Sequence, residues 1–125
     1  MARVLVLTGD LLFGSRVQGD FLAAGHEVEL IGGGGSLSAR LSDTGAPAAE
    51  VLVADLTDER LEAASIVESA LQEGELEGVA TLAFYSHVDV AVREQAESVG
   101  FDLVVPRSRM AREGAQLLAG LLPRS

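Results

Sequence analysis

The chain has 125 residues, with 19 acidic side chains against nine arginines, no lysine and a net charge of −10. This balance opposes contact with nucleic acid, itself a polyanion, and the lack of lysine excludes Schiff-base chemistry and a phosphate-loop lysine. The absence of cysteine excludes disulfides and thiolate sites, two histidines are too few for a histidine-rich metal centre, and no apolar run approaches the roughly 18 residues of a bilayer span.

The opening MARVLVLTGD lacks the small-residue cleavage pattern of a signal peptide, and Val4–Leu7 (VLVL) reads as a first strand. A cytoplasmic protein of one domain spanning residues 1–125, without membrane contact, is expected. The helical spacing of Val17, Phe21 and Leu22 marks a first helix, with Ser15 as its expected cap and Gly25 as its stop signal. Val28–Ile31 (VELI) reads as the second strand. Gly32–Ala49 (GGGGSLSARLSDTGAPAA) predicts a mobile loop holding at most a short helix, Ser36–Leu41, because four consecutive glycines carry a large ordering entropy.

Val51–Ala54 (VLVA) forms the third predicted strand, and Leu61, Ala64, Val67 and Leu71 mark the helix after it, stopped by Gly74. Thr81–Tyr85 (TLAFY) is the fourth strand, followed by a helix on Val88, Val92, Ala96 and Val99 with Gly100 beyond it. The Ser86-x-x-Asp89 spacing fits a capping box variant at the start of that helix. Leu103–Val105 (LVV) is the fifth strand; Met110, Leu117, Leu118 and Leu121 mark the fifth helix, with the breaker Pro123 beyond it and no output domain expected on that side.

Most of these strands are continuous apolar runs, the mark of a parallel sheet buried on both faces. The expected fold is therefore α/β: a (βα)5 three-layer sandwich with a five-stranded parallel sheet in the flavodoxin-like order 2-1-3-4-5. Ligands of such sheets bind beyond the carboxyl ends of the strands. The segments leaving those ends are Thr8-Gly9-Asp10, Asp55-Leu56-Thr57-Asp58, Ser86-His87 and Pro106-Arg107-Ser108, which should gather on one rim.

Gly9–Gly14 has the spacing of a phosphate-cradling loop but continues Ser15-Arg16 where Lys-Ser/Thr is required, and its Leu-Leu-Phe interior calls for burial. No G-x-G-x-x-G follows the first strand, and flavin-stacking aromatics are scarce, since Tyr85 is the only tyrosine and tryptophan is absent. His87 has no nucleophile with an orienting acid, and its neighbour Ser86 points elsewhere at a strand end, so a hydrogen-bonding role in a loop or inter-subunit contact is expected of it. No cofactor, metal or catalytic residue is expected.

Asp55 ends a buried strand, a costly place for a carboxylate unless it is paired, hydrogen-bonded or used. With Asp10 beyond the first strand, Ser86 ending the fourth and Arg107 after the fifth, the chain resembles a response-regulator receiver domain over essentially its whole length. The resemblance implies that Asp55 matches the phosphoacceptor aspartate and Ser86 the phosphoryl-contacting hydroxyl. Thr8 and Gly9, however, stand where receivers carry an adjacent pair of magnesium-holding acids, leaving only Asp10 one residue on. Pro106-Arg107 replaces the Lys-Pro pair after the fifth strand, and Leu103 falls where an aromatic switch residue is common. The segments DLLFGSRV, FYSHVDVAV and VVPRSRM are similar to short receiver-like proteins with degenerate phosphorylation sites.

The expectation is thus a degenerate pseudo-receiver with a vestigial site of Asp55, Asp10, Ser86 and Arg107, and with Thr8, Gly9 and His87 as rim contacts. In its structural role Asp55 would accept backbone amides of its loop or pair with Arg107. The function this implies is a non-enzymatic signalling or regulatory interaction module, not phosphorylated by the usual magnesium-dependent route. It would bind a protein partner or a second copy through the fourth helix, fifth strand and fifth helix. The alternative is a flavodoxin-like binder of a small ligand (anion, nucleotide or flavin), using the Thr8–Asp10 turn and the Gly32–Gly35 loop.

Overall fold

The computed structural model describes residues 2–58, 60–86 and 90–122. Strands β1 (Arg3–Leu7), β2 (Glu27–Ile31), β3 (Val51–Asp55), β4 (Ala80–Tyr85) and β5 (Leu103–Pro106) form a parallel sheet in the order β2-β1-β3-β4-β5. Helices α1 (Leu11–Ala23), α2 (Gly34–Ser42), α3 (Ala63–Gln72), α4 (Val90–Val99) and α5 (Arg107–Leu121) alternate with them. The expected (βα)5 architecture and strand order are both present.

Because side chains alternate across a strand, each apolar run feeds two cores. Val4, Val6, Val51, Val53, Leu82 and Phe84 face α1 and α5, where they meet Phe13, Val17, Phe21, Met110, Leu117 and Leu118. Leu5, Leu7, Leu52, Ala54, Ala83 and Tyr85 face the other way, against Leu37, Ala63, Val67, Ala70 and Ala96 of α2, α3 and α4. β1 is buried from Val4 onward and β3 throughout, whereas the sheet edges β2 and β5 are only partly covered. At the β2 edge, Arg3 pairs with Glu27 and Glu29, and Arg40 of α2 pairs with Glu29 at 2.6 Å. These charges blunt an exposed strand edge.

Several local expectations are corrected. The cap of α1 is Asp10, whose Oδ1 accepts from the Phe13 amide at 3.0 Å; Ser15 lies a full turn inside the helix. An apolar interior for the Gly9–Gly14 segment fails for two of its three side chains, because Leu11 and Leu12 are 73% and 87% exposed while Phe13 is buried. Leu22 is likewise half exposed, leaving Phe13, Val17 and Phe21 to carry the packing of α1.

The second helix begins within the glycine run, with Gly34 and Gly35 in its first turn and Gly33 as its cap. Glycine disfavours a helix through entropy, but Leu37 is anchored in the core and Gly34 packs closely against Ile66 of α3. In α3 the buried positions are Ala63, Val67 and Ala70, with Leu61 ahead of the helix. Helix α5 starts directly at Arg107, three residues before the first marked position, and is kinked at Glu113, whose backbone (φ −127°, ψ 15°) is non-helical. Gly25 and Gly100, at φ 92° and 105°, take the left-handed turns that end α1 and α4. The predicted helix position Val88 lies outside the described residues.

Candidate functional site

Asp55 is the last residue of β3, opposite Phe84 of β4, and none of its surface reaches solvent. A carboxyl buried this fully requires donors on both oxygens. One oxygen, Oδ2, accepts from the Thr8 hydroxyl at 2.6 Å. The other, Oδ1, accepts from both the amide and the hydroxyl of Thr57, at 2.8 and 2.6 Å. Thr8 is itself fixed at the end of β1: its amide donates to Ile31 O at 3.0 Å, and its hydroxyl oxygen accepts from the Asp10 amide at 3.0 Å. An unbroken hydrogen-bonded file therefore runs from the Asp10 amide through Thr8 to Asp55. Of the two partners expected for Asp55, a loop amide is present, at Thr57; the other, Arg107, bonds elsewhere.

Arg107 pairs with Asp10, Nη2 to Oδ2 at 3.2 Å. Its guanidinium also lies 4.1 Å above the centre of the Phe13 ring, and Phe13 packs against Phe84 with ring centres 5.1 Å apart. Asp10 thus uses one oxygen to cap α1 and the other to hold the first residue of α5. The Phe13 amide chiefly, with the charge of Arg107 assisting, holds the Asp10 carboxyl below its ordinary value.

Above this arrangement lies an open cleft of about 690 Å³, lined by Gly9, Asp10, Thr57, Asp58, Arg60, Ser86 and Arg107. Of the residues leaving the strand ends, Gly9, Asp10, Thr57, Asp58, Ser86 and Arg107 come together at this cleft, while Thr8 and Asp55 are buried beneath its floor. Asp58 comes close to Gly9: a Cβ there would stand 2.6 Å from Asp58 Oδ2 and would push that carboxylate aside. His87 and the Asp89 end of the proposed capping box lie outside the described residues. Ser86, half-buried, lines the cleft at the end of β4.

Thr57 and Asp58 are placed on the rim by the sequence, as part of the segment leaving the third strand, but without a role of their own, and Arg60 is not placed there at all. Thr57 carried a signal, because a hydroxyl two residues after an aspartate is the spacing of local side-chain to backbone turns. Arg60 carried none. Among the described residues no three or more histidine, aspartate or glutamate side chains are grouped as a metal site. What the cleft offers chemically is a hydroxyl backed by a buried carboxyl, with two guanidinium groups alongside.

No protein-family model and no curated protein matches the sequence. Solved structures do match. A putative response regulator from Chloroflexus aurantiacus superposes with a TM-score of 0.85 at 13% identity, covering 98% of each chain. The chemotaxis response regulator CheY4 of Vibrio cholerae gives 0.81 at 16% identity, over 98% of this chain and 99% of that one. The receiver domain of the Francisella response regulator 1452 gives 0.78 at 14% identity, over 97% and 96%. The chain has the receiver fold.

Proposed function

We propose that this receiver fold serves as a non-enzymatic signalling or regulatory interaction module in which Asp55 no longer accepts a phosphoryl group by the magnesium-dependent route. The observation that carries this reading is the engagement of both Asp55 oxygens by Thr8 and Thr57 at full burial. Phosphoryl transfer to a carboxylate needs a free oxygen, and it needs cations to neutralise the transferring group. Here Thr8 and Gly9 supply no metal-holding acids, and Arg107 is already bridged to Asp10. Asp10, Ser86 and Arg107 line the cleft with Gly9, above the buried Thr8, as the remnant of a site whose aspartate has become structural.

The output of such a module is a binding event, with a protein partner or a second copy. The surface formed by α4, β5 and α5 is the candidate contact. Light scattering over a concentration series tests the homodimer, and a monomer at all concentrations sinks that version.

The decisive experiment is titration with beryllium fluoride and Mg²⁺, which together mimic an aspartyl phosphate, followed through the amide shifts of Asp10, Asp55 and Ser86. No response at millimolar concentrations is expected. Saturable shifts centred on Asp55 would overturn the proposal.

A further inference from the structure

We infer that the phosphoryl-accepting position of this cleft is the hydroxyl of Thr57, with Asp55 beneath it as general base. The inference rests on the reading that Asp55 is itself closed to phosphorylation. Three groups are linked below and at the cleft floor, and of these only Thr57 faces the opening; Thr8 is 3% exposed and Asp55 is fully buried. A phosphoryl donor entering the cleft therefore meets Thr57 before either oxygen of Asp55.

The geometry is that of an activated nucleophile. Thr57 Oγ1 donates to Asp55 Oδ1 at 2.6 Å, within reach of a base that removes a hydroxyl proton. The base is oriented by a third group, since the Thr8 hydroxyl bonds its other oxygen at 2.6 Å. An aspartate accepting the proton of a substrate hydroxyl is the arrangement protein kinases use for phosphoryl transfer. Arg60 and Arg107 line the same cleft, and Arg60 makes no ion pair among the described residues. Beside the carboxylates of Asp10 and Asp58, Arg60 provides positive charge for the equatorial oxygens of a transferring phosphoryl group, a task otherwise given to a metal ion, and Arg107 joins it only by giving up Asp10.

With an acyl phosphate as donor, the step balances without a further reactant. The Thr57 oxygen forms a bond to phosphorus, the bond from phosphorus to the acyl oxygen breaks, and the carboxylate leaves with the electron pair. The hydroxyl proton passes to Asp55 Oδ1. The event is stoichiometric, one ester per chain, and does not turn over. Its product also has a structural consequence: the ester oxygen no longer donates to Asp55, and the new dianion competes with Asp10 for Arg107.

The test is incubation of the full chain with acetyl phosphate, followed by intact-mass measurement, hydroxylamine treatment and peptide mapping. A phosphothreonine ester survives hydroxylamine, whereas an acyl phosphate on aspartate is cleaved. The expected result is one phosphoryl group per chain, stable to hydroxylamine and mapped to Thr57. It should be lost in Thr57→Val, retained in Thr57→Ser, and formed at least about tenfold more slowly in Asp55→Asn, as loss of a general base requires. Circular dichroism confirms that each variant is folded, and Thr57→Ser keeps the hydrogen bond should Thr57→Val prove unstable. No adduct on the native chain, or an adduct mapped to another hydroxyl, overturns the inference while leaving Asp55 closed. A hydroxylamine-labile adduct that persists in Thr57→Val and vanishes in Asp55→Asn overturns both this inference and the reading it rests on.

Discussion

The Thr8 hydroxyl donates to Asp55 Oδ2 at 2.6 Å while its oxygen accepts the Asp10 amide at 3.0 Å, so a single buried side chain joins the ends of β1 and β3. Thr8→Val keeps the shape of the side chain but removes both bonds. It leaves a carboxyl oxygen and an amide short of a partner, which predicts a loss of about 1–3 kcal/mol in urea unfolding. Thr8→Ser should recover most of that. Equal stability of Thr8→Val and the native chain would mean that the file of hydrogen bonds contributes nothing.

Two glycines of α1 predict opposite outcomes for the same substitution. Gly19 is exposed and nothing lies within 4 Å of a Cβ built on it, so Gly19→Ala should stabilise the helix by about 0.5–1 kcal/mol. At Gly14 a Cβ would stand 2.9 Å from Thr8 Cγ2, and Thr8 is held in place by its hydrogen bonds. Gly14→Ala should therefore destabilise, by about 1–3 kcal/mol as overpacking does. Thermal midpoints of the two variants moving in the same direction would contradict this assignment of space.

The acid limb of the stability curve reports on Asp10. Its carboxyl is held below the ordinary 3.8 by the Phe13 amide first and by Arg107. A folded value lower than the unfolded one gives stability that is complete above the unfolded value and lost as pH falls through the folded one. Asp10→Ala should thus be less stable than the native chain at neutral pH, and the gap should close as the solution is acidified below 3.8. A gap that stays constant across the acid range would remove Asp10 from this role.

Glu62 precedes α3 with φ 53° and ψ 43°, the one non-glycine residue among the described residues in the left-handed region. Side chains other than glycine and asparagine meet steric cost there. Glu62→Gly is predicted to stabilise by about 0.5–1 kcal/mol, the relief of strain exceeding the added entropy of the unfolded chain. Equilibrium unfolding in urea measures it, and a less stable variant would show that contacts of the Glu62 side chain outweigh its backbone strain.

The parts of the fold legible in the sequence are those where local pattern and tertiary demand agree. VLVL, VLVA and TLAFY are strands by composition and are buried on both faces, so their apolar continuity marks the strand positions and the parallel sheet, while the order follows from the doubly wound arrangement of five alternating strands and helices. The start of α2 was hidden because glycine propensity points against the helix that Leu37 and Ile66 stabilise by packing. Asp10 does not stand out as a cap because the spacing of Gly9–Gly14 reads as a loop, which sets the expected helix start at Ser15. In the site, the strand-end rule placed Asp55, Asp10, Ser86 and Arg107 near one another. It did not reveal how Asp55 is bonded, because Thr8 lies 47 residues away in sequence and only the pairing of β1 with β3 brings it into range.

Helix α5 begins at the residue after β5, with Pro106 as the last strand residue and Arg107 as the first helical one. The junction has no spare residue, and the ring of Pro106 fixes its own φ near −65°. A backbone with no slack on either side gives Arg107 no loop to swing on. Any exchange of Asp10 for another anion must come from rotation of the arginine side chain across the face of Phe13, like a turnstile on a fixed post.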